Sequence, residues 1–88
     1  MIEVTAIDDT TFDVKVQAGA TTSHRVTLTD DYHQQLTGGT ATREELIERS
    51  FEFLLERESN SSILRRFDLP VIGSYFPEYE GQMKRQFG

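Results

Sequence analysis

Apolar and polar residues alternate with a period of two over the first third of the chain. Ile2, Val4 and Ala6 alternate with Glu3 and Thr5, and Phe12, Val14, Val16 and Ala18 with Thr11, Asp13, Lys15 and Gln17. His24, Val26 and Leu28 alternate with Arg25, Thr27 and Thr29. Period two with one apolar side is the signature of half-buried strands. Asp8-Asp9-Thr10 and Gly19-Ala20-Thr21-Thr22 fall between these runs as turns, the second with a glycine available for positive φ. Three strands joined by short turns predict an antiparallel β-meander over residues 1–29, with one face covered and the other wet.

The period then lengthens. Thr29 followed by Asp30 and Asp31 predicts a capped helix start, Tyr32 and Leu36 share its face, and Gly38-Gly39 ends it. Thr42-Arg43-Glu44-Glu45 reads as a capping box. It opens a long central helix over 43–58 with Leu46, Ile47, Ser50, Phe51, Leu54 and Leu55 on one side, widened by Phe53. That stripe exceeds the roughly 100° of an ordinary surface helix, so the helix is expected to pack on two neighbours.

Beyond the Ser59-Asn60-Ser61 break, a short helix is expected with Ile63, Leu64 and Phe67 inward and Arg65-Arg66 outward. Asp68-Leu69-Pro70 is a stop and restart. Tyr79, Met83 and Phe87 then recur every four residues in a last helix with Lys84 and Arg85 at its end. The expected fold is therefore α+β in a single domain, residues 1–88. A three-stranded antiparallel β-meander is followed, over 30–88, by a long central helix and two to three short C-terminal helices.

Composition narrows the chemistry. The chain has 88 residues, 15 acidic and 9 basic side chains, a net charge of −6 and no cysteine. Disulfides, cysteine-ligated zinc and thiol nucleophiles are excluded. A net-acidic chain repels phosphate unless its bases are segregated, which makes broad nucleic-acid binding unfavourable. The start, Met1-Ile2-Glu3-Val4, lacks the basic and apolar regions of a signal peptide. The longest central apolar run is Phe53-Leu54-Leu55, far below the roughly 20 residues of a membrane span. A cytoplasmic protein is the expectation.

Charge is unevenly spread. Residues 1–42 carry six acids against Lys15 and Arg25, whereas residues 61–88 carry Arg65, Arg66, Lys84 and Arg85 against Asp68, Glu78 and Glu80. Arg57, Arg65, Arg66, Lys84 and Arg85 form the one basic concentration, which could meet a phosphate or an acidic group. Glu44, Glu48, Glu52 and Glu56 follow i, i+4 spacing, the pattern of a solvated helix face, and Glu45 is spaced to pair with Arg49.

No nucleotide-binding glycine motif, nucleophile elbow or H-E-x-x-H is present. His24 and His33, with Asp30 or Asp31, would be the sole candidates for a metal site, and structural roles account for both histidines more simply. An enzyme would need two carboxylates such as Glu56 and Asp68 to converge in a cleft, and their spacing does not demand it. Residues 62–79 can be drawn as a helix-turn-helix. Its second helix offers Gly73 and Ser74 but no Arg, Lys, Asn or Gln to read bases. No cofactor, metal or catalytic residue is expected.

Several strings carry a resemblance. His24-Arg25-Val26-Thr27-Leu28, Glu45-Leu46-Ile47, Phe51-Glu52-Phe53-Leu54-Leu55-Glu56-Arg57-Glu58, Ser62-Ile63-Leu64-Arg65-Arg66-Phe67-Asp68-Leu69 and Tyr75-Phe76-Pro77-Glu78-Tyr79 together resemble a family of small uncharacterised prokaryotic proteins. The resemblance covers about residues 24–80. It implies a prokaryotic protein and transfers no activity.

With so few strands, an open sheet face and edge remain, and the Tyr79/Met83/Phe87 stripe has little core to enter. The expectation is a non-catalytic interaction or self-association module meeting a protein partner or its own copy. Its surface would be drawn from Arg57, Arg65, Arg66, Tyr75, Tyr79, Met83 and Phe87. The alternative is a nucleic-acid-linked regulator, of antitoxin or repressor-accessory type, using the C-terminal bases.

Overall fold

In a computed structural model, which describes residues 1–87, the alternating segments form β1 (Ile2–Ala6), β2 (Thr11–Ala18) and β3 (Ala20–Thr27). They pair antiparallel in chain order, with Val4 beside Val14 and Val14 beside His24. The Asp8 carboxylate makes the first turn by accepting the Thr10 and Thr11 N–H groups, each at 2.9 Å. The second turn is tighter than the sequence suggests. Ala18 and Ala20 are cross-strand partners, and Gly19 alone turns the chain at φ 82°.

Phe12, Val14, Val16, His24 and Val26 are buried on one sheet face. The other face is wet. Two helices follow, α1 (Asp30–Thr37) and α2 (Arg43–Leu55); α2 packs against the sheet at β1, and α1 packs on α2 and on the C-terminal helix. The Thr29 hydroxyl accepts the Tyr32 N–H at the start of α1, and Gly38 ends it at φ 63°. The capping box at Thr42 and Glu45 is present in both directions. The central helix stops at Leu55, where its apolar stripe ends, rather than at the expected residue 58. It does meet two neighbours. Phe51 contacts the rings of His24 and Phe67 at the sheet, while Phe53 contacts those of Phe76 and Tyr79 on the far side.

The principal correction concerns residues 60–69. The expected helix is absent. Asn60–Ser62 make a single 3₁₀ turn, and Arg66–Asp68 form β4, parallel to β3. The sheet therefore has four strands and is mixed, in the order β1-β2-β3-β4. The 1–29 and 30–88 halves are not separate layers, because β4 comes from the second half. Parallel neighbours require a long crossover, and α1 with α2 supplies it.

Tertiary contacts decide this segment. The Asn60 amide donates to Ala20 O (2.9 Å), and Leu64 O lies 2.7 Å from His24 Nδ1, so the chain is tied to the β3 edge before and inside the segment. Ile63 and Phe67 are buried as expected, but Leu64 points out. A strand in place of the first helix also removes the helix-turn-helix arrangement. Two short helices complete the chain, α3 (Val71–Tyr75) and α4 (Tyr79–Phe87).

Candidate interaction surface

The residues expected to form one surface separate into three groups. Tyr79 and Met83 leave the list, because both are fully buried. Tyr79 fits between Phe53 and the polar spot at Ser50, whose Oγ lies 2.6 Å from the phenol oxygen. Burial pushes the Tyr79 phenol well above the usual tyrosine range. Phe87 is half-buried against the core. The four-residue stripe thus seats α4 on the domain itself. Tyr32 helps to hold it, donating its hydroxyl to Glu80 Oε2 at 2.8 Å.

Arg57 is engaged as well. Its guanidinium lies 3.6 Å from the centre of the Phe53 ring and reaches Phe53 O (3.0 Å), Glu56 Oε1 (3.2 Å) and Glu78 Oε2 (3.2 Å). The Glu78 carboxyl is held below the usual range by a hydrogen bond from its own backbone N–H and by this guanidinium. Arg57 clamps the end of α2 onto the start of α4 and does not belong with Arg65 and Arg66.

Arg65 and Arg66 face the wet side of the sheet. With Lys15, Arg25, Glu3 and Asp13 they line an open hollow of about 440 Å³. Arg25 is bidentate on Asp13, at 2.8 and 3.2 Å, and this hydrogen bonding lowers the Asp13 carboxyl. Lys15, Arg65 and Arg66 form no ion pair among the described residues. The sequence did not reveal this gathering, since Lys15 and Arg25 lie about 40 to 50 residues away from Arg65 and Arg66.

Tyr75 marks the third group. It is 66% exposed and lines an apolar cleft of about 180 Å³ between α3 and the segment entering β4. Leu54, Ile63, Phe67 and Ile72 supply its buried side chains, and Leu64, 46% exposed, joins Tyr75 at the opening. Among the described residues, Leu64 and Tyr75 are two of four large hydrophobic residues that remain exposed, which sets the cleft apart from the rest of the surface.

Both histidines make structural hydrogen bonds. His24 Nδ1 donates to Leu64 O, leaving Nε2 to accept from the Thr22 hydroxyl at 2.8 Å. His33 Nε2 donates to Ala41 O at 2.6 Å. Among the described residues no group of three or more His, Cys, Asp or Glu is placed to hold a metal. The acidic stripe on α2 is exposed, and Arg49 pairs within it to Glu52 (3.7 Å) rather than to Glu45, which is engaged in the capping box. Among the described residues no helix is long and apolar enough to cross a membrane.

Comparison with protein-family models, with curated proteins and with solved structures finds no match to this chain, so no activity or residue role transfers from a relative.

Proposed function

We propose that this chain is a small non-catalytic protein-interaction module whose docking surface is the cleft opened by Leu64 and Tyr75. One observation carries the reading: both side chains stay exposed beside an apolar hollow although the core next to them is closed. An aliphatic or aromatic side chain from a protein partner would release water from Leu64, Tyr75, Ile63 and Ile72 together, and the gain scales with the apolar area covered.

The test compares wild type with a Leu64→Ser/Tyr75→Ser variant, each immobilised in a lysate and each measured by light scattering. The expected result is a species, another protein or the chain itself, that binds wild type and is lost from the variant while the melting temperature holds. A strict monomer that captures nothing the variant does not also capture refutes the reading.

A second reading, a nucleic-acid-linked regulator, draws on the cluster of Lys15, Arg25, Arg65 and Arg66 around one hollow. It predicts retardation of mixed DNA or RNA at low salt that fades steeply as salt rises. No retardation at low salt ends it.

A further inference from the structure

β4 lies at one end of the sheet. Its backbone parity follows from two hydrogen bonds, Arg25 N–H to Arg65 O at 2.7 Å and Leu69 N–H to Thr27 O at 2.9 Å. Residues 65, 67 and 69 therefore spend their ladder groups on β3. The N–H and C=O of Arg66 and Asp68 point the other way, off the edge. Arg66 and Asp68 are both exposed, and Phe67 between them is buried. Resting on the interaction reading above, we infer that this edge pairs with the same edge of a second copy, antiparallel and centred on Phe67.

The register is self-complementary. Centred on Phe67, it sets Arg66 opposite the partner's Asp68 and Asp68 opposite the partner's Arg66. Residues 66 and 68 are also the ones whose main-chain groups face outward, so each opposed pair exchanges both backbone hydrogen bonds. Within one copy Arg66 is poorly matched. Its neighbour on β3 is Arg25, and it has no ion-pair partner among the described residues. The partner's Asp68 would supply the missing acid. The opposite edge has no such code: an antiparallel β1 pair centred on Val4 would set Glu3 against Thr5.

Size and symmetry fit the same partner. A two-fold contact uses one patch twice and closes on itself, so it does not propagate into fibres. An interface of standard size takes roughly 800 Å² from each copy, about a sixth of the 5063 Å² this chain exposes. A three-residue strand covers less than that. Leu64 and Tyr75, which flank the cleft beside β4, are exposed apolar side chains that such a contact would also cover.

The test is sedimentation equilibrium of the full chain from about 1 µM to about 1 mM, a range that brackets weak self-association. Wild type is expected to dimerise. Asp68→Arg sets Arg against Arg at both pairs and Arg66→Asp sets Asp against Asp, so each alone should weaken the dimer about tenfold or more; Asp68→Arg also gives up the bond its carboxylate accepts from the Thr27 hydroxyl, so circular dichroism checks that each variant stays folded. The double exchange Arg66→Asp/Asp68→Arg restores opposite charges and should restore dimerisation. An equimolar mixture of the two single variants should form heterodimers, because one copy then carries only Arg and the other only Asp at these positions. A wild-type monomer at about 1 mM overturns the inference, and so do single variants that dimerise as well as wild type or that fail to pair with each other. A monomer that still captures another protein through Leu64 and Tyr75 overturns the dimer but leaves the interaction reading standing. A monomer that captures nothing ends both.

Discussion

Replacing Ser50 by alanine should destabilise the domain more than replacing its partner Tyr79 by phenylalanine, although alanine is the better helix former. The Ser50 Oγ–H donates to Leu46 O at 2.7 Å, so its oxygen accepts from the Tyr79 hydroxyl at 2.6 Å. Both residues are fully buried. Ser50→Ala removes the only acceptor of the Tyr79 proton in a site without water access, and an unsatisfied buried donor costs about 1–3 kcal/mol. Tyr79→Phe removes the donor and leaves Ser50 still bonded to Leu46, at a cost of about 0.5–1.5 kcal/mol. In the double variant Leu46 O keeps the helix bond from residue 50 N–H, so no buried group is orphaned. Its stability should lie near that of Tyr79→Phe and above that of Ser50→Ala.

A domain of this length has a total stability of about 4–13 kcal/mol. At about 4–8 °C per kcal/mol, a 2 kcal/mol loss in Ser50→Ala lowers the melting temperature by roughly 8–16 °C. Thermal unfolding followed by circular dichroism, with urea titrations of the same four proteins, resolves these differences. A double variant less stable than Ser50→Ala, or a Ser50→Ala no worse than Tyr79→Phe, would refute the hydrogen-bond chain as drawn.

Phe51→Ala, which opens a cavity between the His24 and Phe67 rings, should cost about 3–5 kcal/mol and bring the domain close to unfolding at room temperature; a wild-type melting temperature would exclude the central-helix packing. Stability should also fall at both ends of the pH scale. Hydrogen bonds to Asp8, Asp13 and Glu78 depress their folded-state pKa values below the ordinary 3.8 of Asp and 4.5 of Glu, so their stabilisation is present above that range and is lost as pH falls through the depressed values. Burial raises the folded-state pKa values of Tyr32 and Tyr79 above 10.0, so their contribution is intact below pH 10 and is lost as pH climbs towards the raised values. Urea midpoints measured from acid to alkali, with phenolate absorbance on the alkaline side, check both. A midpoint that does not change from pH 3 to pH 6 would contradict the acid half.

The elements most legible from residue order are those with local causes. Alternation in Phe12, Val14 and Val16 and in His24, Val26 and Leu28 located β2 and β3 and their inward face. Thr29 and Thr42 marked both helix starts, because a cap is a bond between residues three apart. The breadth of the α2 stripe correctly implied two packing partners. Elsewhere the spacing is ambiguous. Ile63, Leu64 and Phe67 satisfy a helical face, yet period two in Arg66-Phe67-Asp68 describes what forms. The i, i+4 stripe of Tyr79, Met83 and Phe87 was real, but its direction was not legible: it faces the domain's own core.

Residue order by itself determined an acidic, cysteine-free α+β domain with a meander, two capped helices and one wet sheet face. Each of those follows from composition or from contacts within a few residues. Only the tertiary structure decided that residues 66–68 become a strand, because the deciding partners are the open edge of β3 and the His24 ring, some 40 residues away. It also decided which aromatics are exposed and which arginines are free. Tyr75 and Tyr79 look equivalent in sequence, and so do Arg57 and Arg66. Burial and ion pairing are sums over neighbours from the whole fold, and no local pattern carries that sum.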